Sequence, residues 1–398
     1  MKVILDSSCD LPDDYLKKYD IDIIMYKRIL TLPFSKTETC FLWGPRQTGK
    51  STLLKTLFPK AKRYDLLLSN EYHRLLTNPG LIREECLAES KDFIGKKLPV
   101  IIDEVQKVPA LLDEVHWLIE NAGIRFILWG SSARKVKKGQ ANLLGGRAVR
   151  YELHPLVYPE IPGFSLSKAL NYGLLARHYQ HSHPQRLIES YVGDYLKEEI
   201  AAEALTRNVP AFSRFLKIAA LTNGELINYR NIASECGVSS PTVKEYFQIL
   251  DDTLIGKQLP AFRKRAKRRL IGAPKFYFFD IGIVAHLTHR GKVEKGSELF
   301  GRALEHLIYM EILAHSSYSE LNYPIAYWKT ASGFEVDFVL GDHELAVEVK
   351  SASMVGNRHL KGIRAFKEEF VARHFIVVSM DPKPRKTSDG IYILPFNI

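Results

Sequence analysis

The sequence has few of the features that mark disulfide-linked, zinc-binding or membrane-spanning proteins. Its four cysteines, Cys9, Cys40, Cys86 and Cys236, form no Cys-x-x-Cys pair and no Cys/His spacing that could close a zinc tetrahedron. No apolar run approaches the roughly 18 to 20 residues that span a bilayer, and the amino-terminal stretch turns acidic before a signal peptide could form. We therefore expect reduced, mostly buried thiols, no membrane partner and a cytoplasmic protein.

Internal repeats and low-complexity tracts are also absent, so the 398 residues are expected to form two or three ordinary domains. A hydrophobic content of 46% with 25% charged residues is enough to build sizeable cores. The 56 lysines and arginines outnumber the 45 acidic residues and give a formal charge of +11. This excess favours anionic partners such as nucleic acid or nucleotides without proving either.

Short apolar runs alternate with helical patterns between about residues 25 and 155. CFLWG, LPVIIDE and IRFILWG have the composition of buried parallel strands, and STLLKTLF and ALLDEVHWLIENAG that of crossover helices. This alternation predicts an α/β domain. Long helical patterns follow to about residue 250, and strand-like runs return in GFEVDFVLGDHELAVEVK and HFIVVSM, so we expect a second α/β unit at the carboxyl end.

The strongest local signal is GPRQTGKS at residues 44–51, between an apolar run and a helical pattern. It fits the G-x-x-x-x-G-K-[ST] loop, whose backbone N–H groups wrap phosphates. Lys50 is expected to reach the β/γ-phosphate oxygens of ATP and Ser51 to ligate Mg²⁺, beside the positive end of the following helix. The residues expected to contact the nucleotide are Gly44, Pro45, Arg46, Gln47, Thr48, Gly49, Lys50, Ser51 and Thr52.

Two carboxylates at the end of LPVIIDE supply the other groups that ATP hydrolysis requires. Asp103 is expected at the strand tip as the acid that holds Mg²⁺, and Glu104 as the base that positions the attacking water. Downstream, Ser131 and Ser132 follow FILWG, where a hydroxyl either senses the γ-phosphate or simply ends the strand. Arg147 follows two glycines and either stabilises transition-state charge, in this subunit or a neighbour, or is a surface cation.

GPRQTGKS, IIDEVQKVPALLDEV, WGSSARK and LLGGRA, in this order, resemble the prokaryotic AAA-superfamily ATPases that carry a C-terminal domain of unknown function. The resemblance extends from Met25 onward and includes ESYVGDYLKEEI and PKFYFFDIGI. It implies an ATP-binding core in which Lys50, Ser51, Asp103 and Glu104 have the roles given above. It suggests rings or dimers, although the sequence shows no obvious coiled coil, and it gives no substrate.

Residues 224–250 hold two amphipathic helical patterns separated by a CGVS turn, which is the outline of a helix-turn-helix. Ser239 or Ser240 is expected to cap the second helix, with Pro241 in its first turn. The basic run FRKRAKRRL follows, where a wing would lie against phosphate, so DNA is an expected partner. The second helix carries little positive charge, however, and modules of this type also contact proteins.

Near the carboxyl end, GFEVDFVLGDHELAVEVKS predicts an antiparallel hairpin around a four-residue turn at Gly341–Glu344. In this register Asp337 faces Glu348 and Glu335 faces Lys350 on one side of the sheet. The opposite side is apolar, and its facing pairs are Val336 with Val349, Phe338 with Val347 and Leu340 with Leu345. Because two facing carboxylates repel each other, the pattern indicates a cation between them.

The spacing Asp-x10-Glu-x-Lys, carried by Asp337, Glu348 and Lys350, resembles the metal-binding signature of restriction-endonuclease-like nucleases. The resemblance implies that Asp337 and Glu348 hold Mg²⁺ and that Lys350 positions the attacking water or stabilises the charged phosphorane. Glu305 and Glu335 are candidate further ligands, although pairing of Glu335 with Lys350 is an equal alternative. A solvent-facing hairpin of mixed charge, without activity, is the competing interpretation.

The first 24 residues stand apart, because DSSCDLP at residues 6–12 resembles the amino-terminal stretch of the fatty-acid-binding DegV family. Too little is present to build that fold, so these residues are either a fusion or misplaced start, or a packed extension. After them we expect a P-loop NTPase domain of AAA type with a parallel sheet at 25–160. A helical linker with a winged helix-turn-helix would follow at 161–270, and an α/β restriction-endonuclease-like domain at 271–398.

Together these features predict an ATPase whose hydrolysis changes how a DNA-binding, nuclease-like module is placed on DNA. The alternative is a nucleotide-controlled switch whose C-terminal half is a non-catalytic protein-interaction module. The sequence leaves the physiological target and the oligomeric state open.

Overall fold

The computed structural model describes residues 3–6, 21–24, 26–32, 38–89, 98–130, 144, 147–196, 208–264 and 268–397. For residues 3–6, 21–24 and 194–196 it describes the backbone alone. The chain divides into two compact units. Unit 1 comprises residues 1–156 with 252–254, and unit 2 comprises residues 157–251 with 255–398.

Two short strands near the amino terminus, β1 (Val3–Asp6) and β2 (Ile21–Ile24), pair in parallel with each other. Their two-stranded sheet is separate from the other sheets of the described chain. The side chains on which the choice between a fusion and a packed extension depends lie outside those that the structure describes.

The main sheet of unit 1 has five parallel strands in the order β4-β5-β6-β3-β7. They are β3 (Thr39–Trp43), β4 (Arg63–Asp65), β5 (Val100–Asp103), β6 (Phe126–Gly130) and β7 (Ala148–Glu152). All residues of β3 and β6 are buried, as the continuous apolar runs predict. Because the strands are parallel, the carboxyl ends of β3, β5 and β6 lie at the same edge of the sheet.

Four described helices belong to unit 1: α1 (Lys50–Leu57), α2 (Ser69–Thr77), α3 (Leu81–Ala88) and α4 (Leu111–Ala122). In α4 the buried side chains are Leu111, Leu112, Val115 and Leu118, the spacing of one helix face. The helix ends at Gly123, whose φ of 60° is left-handed. The core formed by these helices and the sheet fixes the strand ends that carry the candidate site.

The first half of unit 2 is helical. Its helices are α5 (Leu166–Tyr172), α6 (Ala176–Gln180), α7 (Pro184–Ser190), α8 (Val209–Leu221), α9 (Tyr229–Cys236), α10 (Ser240–Asp252) and α11 (Ile281–Leu287), with a π-helical turn at Tyr191–Leu196. An antiparallel hairpin of β8 (Gly256–Leu259) and β9 (Lys275–Phe278) follows α10. Aromatic side chains of α8, α10 and β9 pack together in this core, among them Phe215, Phe247 and Phe276.

The turn between α9 and α10 has the chemistry that the sequence predicts. Gly237 takes a left-handed φ of 68° after α9, and Ser239 Oγ accepts a hydrogen bond from the backbone N–H of Thr242 at 3.2 Å. Val243 and Leu250 lie on the buried face of α10. Ser239, rather than Ser240, is therefore the capping residue.

The second half of unit 2 is a six-stranded mixed sheet in the order β10-β11-β12-β13-β15-β14. Its strands are β10 (Ile325–Lys329), β11 (Glu335–Leu340), β12 (Leu345–Lys350), β13 (His374–Ser379), β14 (Arg385–Lys386) and β15 (Ile391–Pro395), and its helices are α12 (Glu298–Tyr318) and α13 (Lys361–Glu369). Leu340 pairs with Leu345 and Phe338 with Val347, which confirms the predicted hairpin register.

The segment that joins β8 to β9 extends this sheet at its β10 edge. Phe262 N–H donates to Tyr327 O at 2.7 Å, and Ile271 N–H donates to Lys329 O at 2.9 Å. The ring of Phe262 packs with Phe366 in the core under the sheet. The helical half and the sheet half of unit 2 are thus joined through backbone hydrogen bonds.

Across the ranges that the structure describes, every helix is too short or too polar to cross a bilayer.

Candidate functional site

The loop between β3 and α1 closes around the amino group of Lys50. Lys50 Nζ donates to the carbonyl oxygens of Gly44 at 2.7 Å and Pro45 at 2.9 Å, and the side chain is buried. Thr48 Oγ1 donates to Pro45 O at 2.9 Å and tightens the turn. Gly49, with a φ of 91°, takes the left-handed conformation that leads into α1. The loop therefore holds a lysine and a helix amino terminus together at the edge of the sheet.

Backbone contacts fix this loop on the sheet. A Cβ at Gly44 would lie 2.5 Å from Leu153 O, so glycine is required where the loop leaves β3. The guanidinium of Arg28 donates to Thr48 O at 2.6 Å and to His154 O at 2.7 Å. Arg28 therefore ties the end of the loop to the segment that follows β7.

Asp103 ends β5, opposite Trp129 of β6 and Asp65 of β4. Burial, with the charges of Glu104 and Asp65, raises the pKa of Asp103 to about 8, although the charge of Lys50 opposes the shift. Asp103 Oδ1 is buried and has no hydrogen-bond partner among the described residues. An orphaned carboxylate oxygen of this kind is the donor that a hard cation takes, so the site fits Mg²⁺.

Glu104 follows Asp103 with a left-handed φ of 52°. Such a conformation costs a non-glycine residue on the order of 1 kcal/mol and persists only where neighbouring groups hold it. The side chain of Glu104 is buried and accepts a hydrogen bond from Gln106 Nε2. Gln106 therefore holds Glu104 in position, a role that the sequence pattern does not reveal.

The other residues predicted for this site have different surroundings. Ser131 and Ser132 lie outside the described residues. Arg147 is exposed, and its guanidinium pairs with the carboxylate of Glu120 on α4. The remaining loop residues are exposed at Arg46 and Gln47 and half-buried at Ser51 and Thr52.

In unit 2 the hairpin brings Asp337, Glu348 and Lys350 together. Asp337 and Glu348 expose only 6% and 4% of their surfaces. Asp337 Oδ2 accepts the backbone N–H of Val349 at 2.7 Å, and Lys350 Nζ lies 2.5 Å from Glu348 Oε1. Burial, then the charge of Glu305, raises the pKa of Asp337 to about 7. Burial, then the charge of Asp337, raises the pKa of Glu348 well above its usual value.

A second lysine, Lys275 of β9, supplies some of the positive charge that the facing carboxylates require. It exposes 4% of its surface, and its Nζ lies 3.1 Å from Glu305 Oε1 and 2.8 Å from Glu335 Oε1. Burial lowers the pKa of Lys275, but the charges of Glu305, Asp337 and Glu335 outweigh burial, so that the pKa is raised. A side chain of the protein itself therefore provides some of the predicted cationic charge.

The structure corrects one expectation for this cluster. Glu335 does not pair with Lys350, because its two oxygens are taken by Lys275 and by Lys329, whose Nζ lies 2.6 Å from Glu335 Oε2. Glu305 uses Oε1 for Lys275 and also for the hydroxyl of Tyr277 at 2.5 Å, so that its part as a further metal ligand stays a prediction. Across the described ranges, no group of three or more His, Cys, Asp or Glu side chains is arranged to hold a metal ion.

One carboxylate oxygen of the cluster is not used in a hydrogen bond or ion pair with the described residues. Glu348 Oε2 is buried and has no hydrogen-bond partner in the described part of the chain. Mg²⁺ binds through as few as one or two carboxylates and keeps several waters. Asp337 and Glu348 therefore fit a divalent ion as a pair, without a third acidic ligand.

The basic run between β8 and β9 is largely engaged inside unit 2. Arg265 and Lys267 lie outside the described residues. Three of its four described cations make contacts: Lys264 Nζ with Asp342 at 2.5 Å, Arg268 with Glu368 at 2.6 Å and Glu369 at 2.7 Å, and Arg263 Nη2 with Gly272 O at 2.7 Å. The fourth, Arg269, is exposed. These three cations are used to dock the segment on the sheet, which leaves less charge for phosphate than the sequence indicates.

Sequence reasoning missed three residues that act on these sites: Arg28, Gln106 and Lys275. Arg28 precedes the first apolar run, and Lys275 stands among aromatic residues in PKFYFF, a stretch that assigns no chemistry to the lysine. A lysine within an otherwise apolar, strand-like run is the one available signal, because a buried lysine requires carboxylate partners.

Comparisons with known proteins agree with the P-loop geometry. Residues 36–162 match the family described as AAA domain, residues 164–294 match a domain of unknown function (DUF8612), and residues 300–398 match another (DUF4143). Unit 1 thus contains a P-loop ATPase domain of the AAA type. The matches to the other two families assign no activity to unit 2.

Two curated relatives are uncharacterized proteins of Mycobacterium bovis and Mycobacterium tuberculosis. Each is 24% identical over 324 residues, which cover 78% of this chain and 70% of the relative. Among solved structures, a signal transduction ATPase with numerous domains and a tetratricopeptide repeat sensor, from Pyrococcus horikoshii, matches at 13% identity with a TM-score of 0.22. That match covers 75% of this chain, which spans about half of the length of the archaeal one.

Proposed function

We propose that unit 1 binds ATP with Mg²⁺ and hydrolyses it. The observation that carries the proposal is the meeting, at one edge of a parallel sheet, of a lysine-bearing loop on β3 and an orphaned carboxylate at the end of β5. These are the anion-binding and cation-binding halves of a site for a metal-bound triphosphate.

Each side chain has a role that follows from its surroundings. Lys50 binds the β/γ-phosphate oxygens, exchanging its bonds to Gly44 and Pro45 for charged acceptors. Ser51 and Asp103 would hold Mg²⁺, which when bound neutralises phosphate charge. Glu104, held by Gln106, orients the attacking water and takes its proton.

Calorimetry with ATP·Mg²⁺ tests the proposal on the full chain. Lys50→Ala should abolish binding, whereas Glu104→Gln should retain binding and lower turnover by a factor of about 10² to 10⁴. Glu84→Gln, an exposed change of the same chemistry on α3, is the control and should leave both unchanged. Unaltered hydrolysis in Glu104→Gln would assign the base elsewhere, and no uptake by the wild-type protein would remove the proposal.

For unit 2 we propose a nucleic-acid-acting module in which Asp337 and Glu348 bind a divalent ion and Lys350 lies beside the reacting phosphate. The unpartnered Glu348 Oε2 favours this function, because a buried carboxylate oxygen without a donor is costly unless something binds it. In the alternative, ATP controls a switch and unit 2 is a protein-interaction module, an interpretation that the internal use of Lys264 and Arg268 supports.

Cleavage of plasmid and single-stranded DNA with Mg²⁺ or Mn²⁺ separates the two. Cleavage that is lost in Asp337→Ala and kept in Asp342→Ala, an exposed carboxylate of the same hairpin, supports the nucleic-acid-acting module. The protein-interaction alternative is supported by intact DNA together with DNA binding that is absent or insensitive to salt.

A further inference from the structure

Unit 2 contains a cavity that none of the predicted motifs lines. Its volume is about 480 Å³, within the range of small-molecule sites. Helices α5, α7 and α11 and the loop after α11 form its walls. The described lining includes four basic residues of α11 and the loop after it, His286, His289, Arg290 and Lys292, together with Tyr172 of α5 and Ile188 of α7.

Arg290 is the residue of the lining that indicates a ligand-binding site. Its Nη2 donates to Leu170 O at 3.2 Å, a neutral acceptor, while its Nε is buried with no hydrogen-bond partner among the described residues. Burial lowers the pKa of Arg290, and no carboxylate of the described chain offsets this effect. A guanidinium that is removed from water and left without a counter-charge is costly unless an anion binds it.

The residues next to Arg290 add polar groups and one further charge. The imidazole rings of His286 and His289 lie 5.9 Å apart, and His289 holds a left-handed φ of 48° where the chain turns along the cavity. Lys292 is exposed at the rim, so its amino group adds charge without being tied to a carboxylate in the described chain. An arginine beside a lysine and further ring N–H groups is an arrangement that binds phosphoryl groups.

The uncharged part of the lining restricts the class of ligand. Tyr172 and Ile188, with Ala285, present apolar and aromatic surface rather than further cations. A bare inorganic anion would leave this surface unused, whereas a phosphorylated molecule with a planar ring would cover it. We infer that the cavity is a second anion site, which binds a mononucleotide through its phosphate at Arg290 and its base on the Tyr172 side.

The test uses the full chain with Lys50→Ala, so that the loop of unit 1 does not contribute phosphate binding. Calorimetric titration with AMP should show one site, and adding Arg290→Gln should weaken it by at least about tenfold, because a charge-assisted contact is lost. Lys292→Gln, an exposed change that leaves the fold intact, should weaken it by about threefold. Lys295→Gln, an exposed lysine of the same loop outside the lining, is the matched control and should bind as before.

Inorganic phosphate and adenosine are the other two ligands to titrate. Each should bind more weakly than AMP, since each fills one wall of the cavity only. Equal affinity for phosphate and AMP would overturn the assignment of the base to the Tyr172 side. No binding of AMP to the Lys50→Ala protein, or equal weakening by Lys292→Gln and Lys295→Gln, would overturn the site itself. These outcomes do not depend on whether unit 1 hydrolyses ATP.

Discussion

The two acidic sites of this molecule are both buried, but their charges are compensated in different ways. In unit 1, Asp103 has a pKa raised to about 8 and an oxygen without a partner among the described residues. In unit 2, Lys350 lies 2.5 Å from Glu348, and Lys275 bridges two further carboxylates. In unit 1 the carboxylate charge is therefore left for a bound ligand to compensate. In unit 2 lysine side chains of the protein itself compensate much of it.

A sequence motif describes both acidic sites as metal-binding carboxylates, but substitutions in the two sites should change stability in opposite directions. A carboxylate without a cation gives up folding stability for the sake of ligand binding, so replacing it should stabilise the protein. A carboxylate cluster that includes a lysine belongs to the fold, so removing the lysine should destabilise the protein.

The largest effect is expected from Lys275→Met. The substitution leaves Glu305 and Glu335 without their shared, 4%-exposed partner, so it should lower the free energy of unfolding by about 3 to 5 kcal/mol. Urea denaturation followed by circular dichroism measures the change. Lys329→Met removes the more exposed partner of the same Glu335 and should cost less than about 1 kcal/mol. Equal effects of the two substitutions would contradict the view that the buried Lys275 compensates the carboxylates of unit 2.

A smaller effect of opposite sign is expected from Asp103→Asn. The pKa of Asp103 is about 8 in the folded protein, and about 3.9 is usual for an unfolded chain, so the folded state holds the extra proton between these values. Stability from this group is therefore greatest below pH 4 and falls as the pH rises to 8. Asn carries no charge at either pH, so at this position it should raise the free energy of unfolding at pH 8 and change it less at pH 5.

Thermal unfolding at pH 5 and pH 8 measures this difference. The stabilisation should be larger at pH 8, and Asp113→Asn, an exposed change on α4, should show no such dependence. A gain of the same size at both pH values would mean that Asp103 is charged in the folded state. The carboxylates of the two units would then be compensated in similar ways.

The smallest effect concerns ATP affinity as a function of pH. Because a metal-binding carboxylate must be deprotonated, ATP·Mg²⁺ should displace the proton of Asp103. Below pH 8 the affinity should fall by up to about tenfold per pH unit, which is about 1.4 kcal/mol. Calorimetry in buffers of different ionisation enthalpy should show proton release that Asp103→Asn abolishes. Release that persists in this variant would place the titrating group elsewhere.

The elements with a strict local rule could be predicted from the sequence. The P-loop, the strand that ends in Asp103 and the hairpin that pairs Leu340 with Leu345 follow from spacing and from the two-residue period of a strand. The strands β4 and β7 have mixed composition, which gives no comparable signal. The partners of Glu335 could not be predicted either, because Lys275 reaches the cluster from 60 residues earlier through tertiary packing.

The backbone bonds between the β8–β9 connection and β10 mean that the family boundaries are not folding boundaries. A recombinant fragment that starts at residue 300 would lack Pro260, Phe262 and Ile271, so the amide of Tyr327 and the carbonyls of Tyr327 and Lys329 would lose their partners. An edge strand with unpaired backbone groups tends to pair with other molecules. The same truncation also removes Lys275 from the acidic cluster. Fragments of this half should therefore begin ahead of α5, because α5 and α7 share the core with α8 and β9.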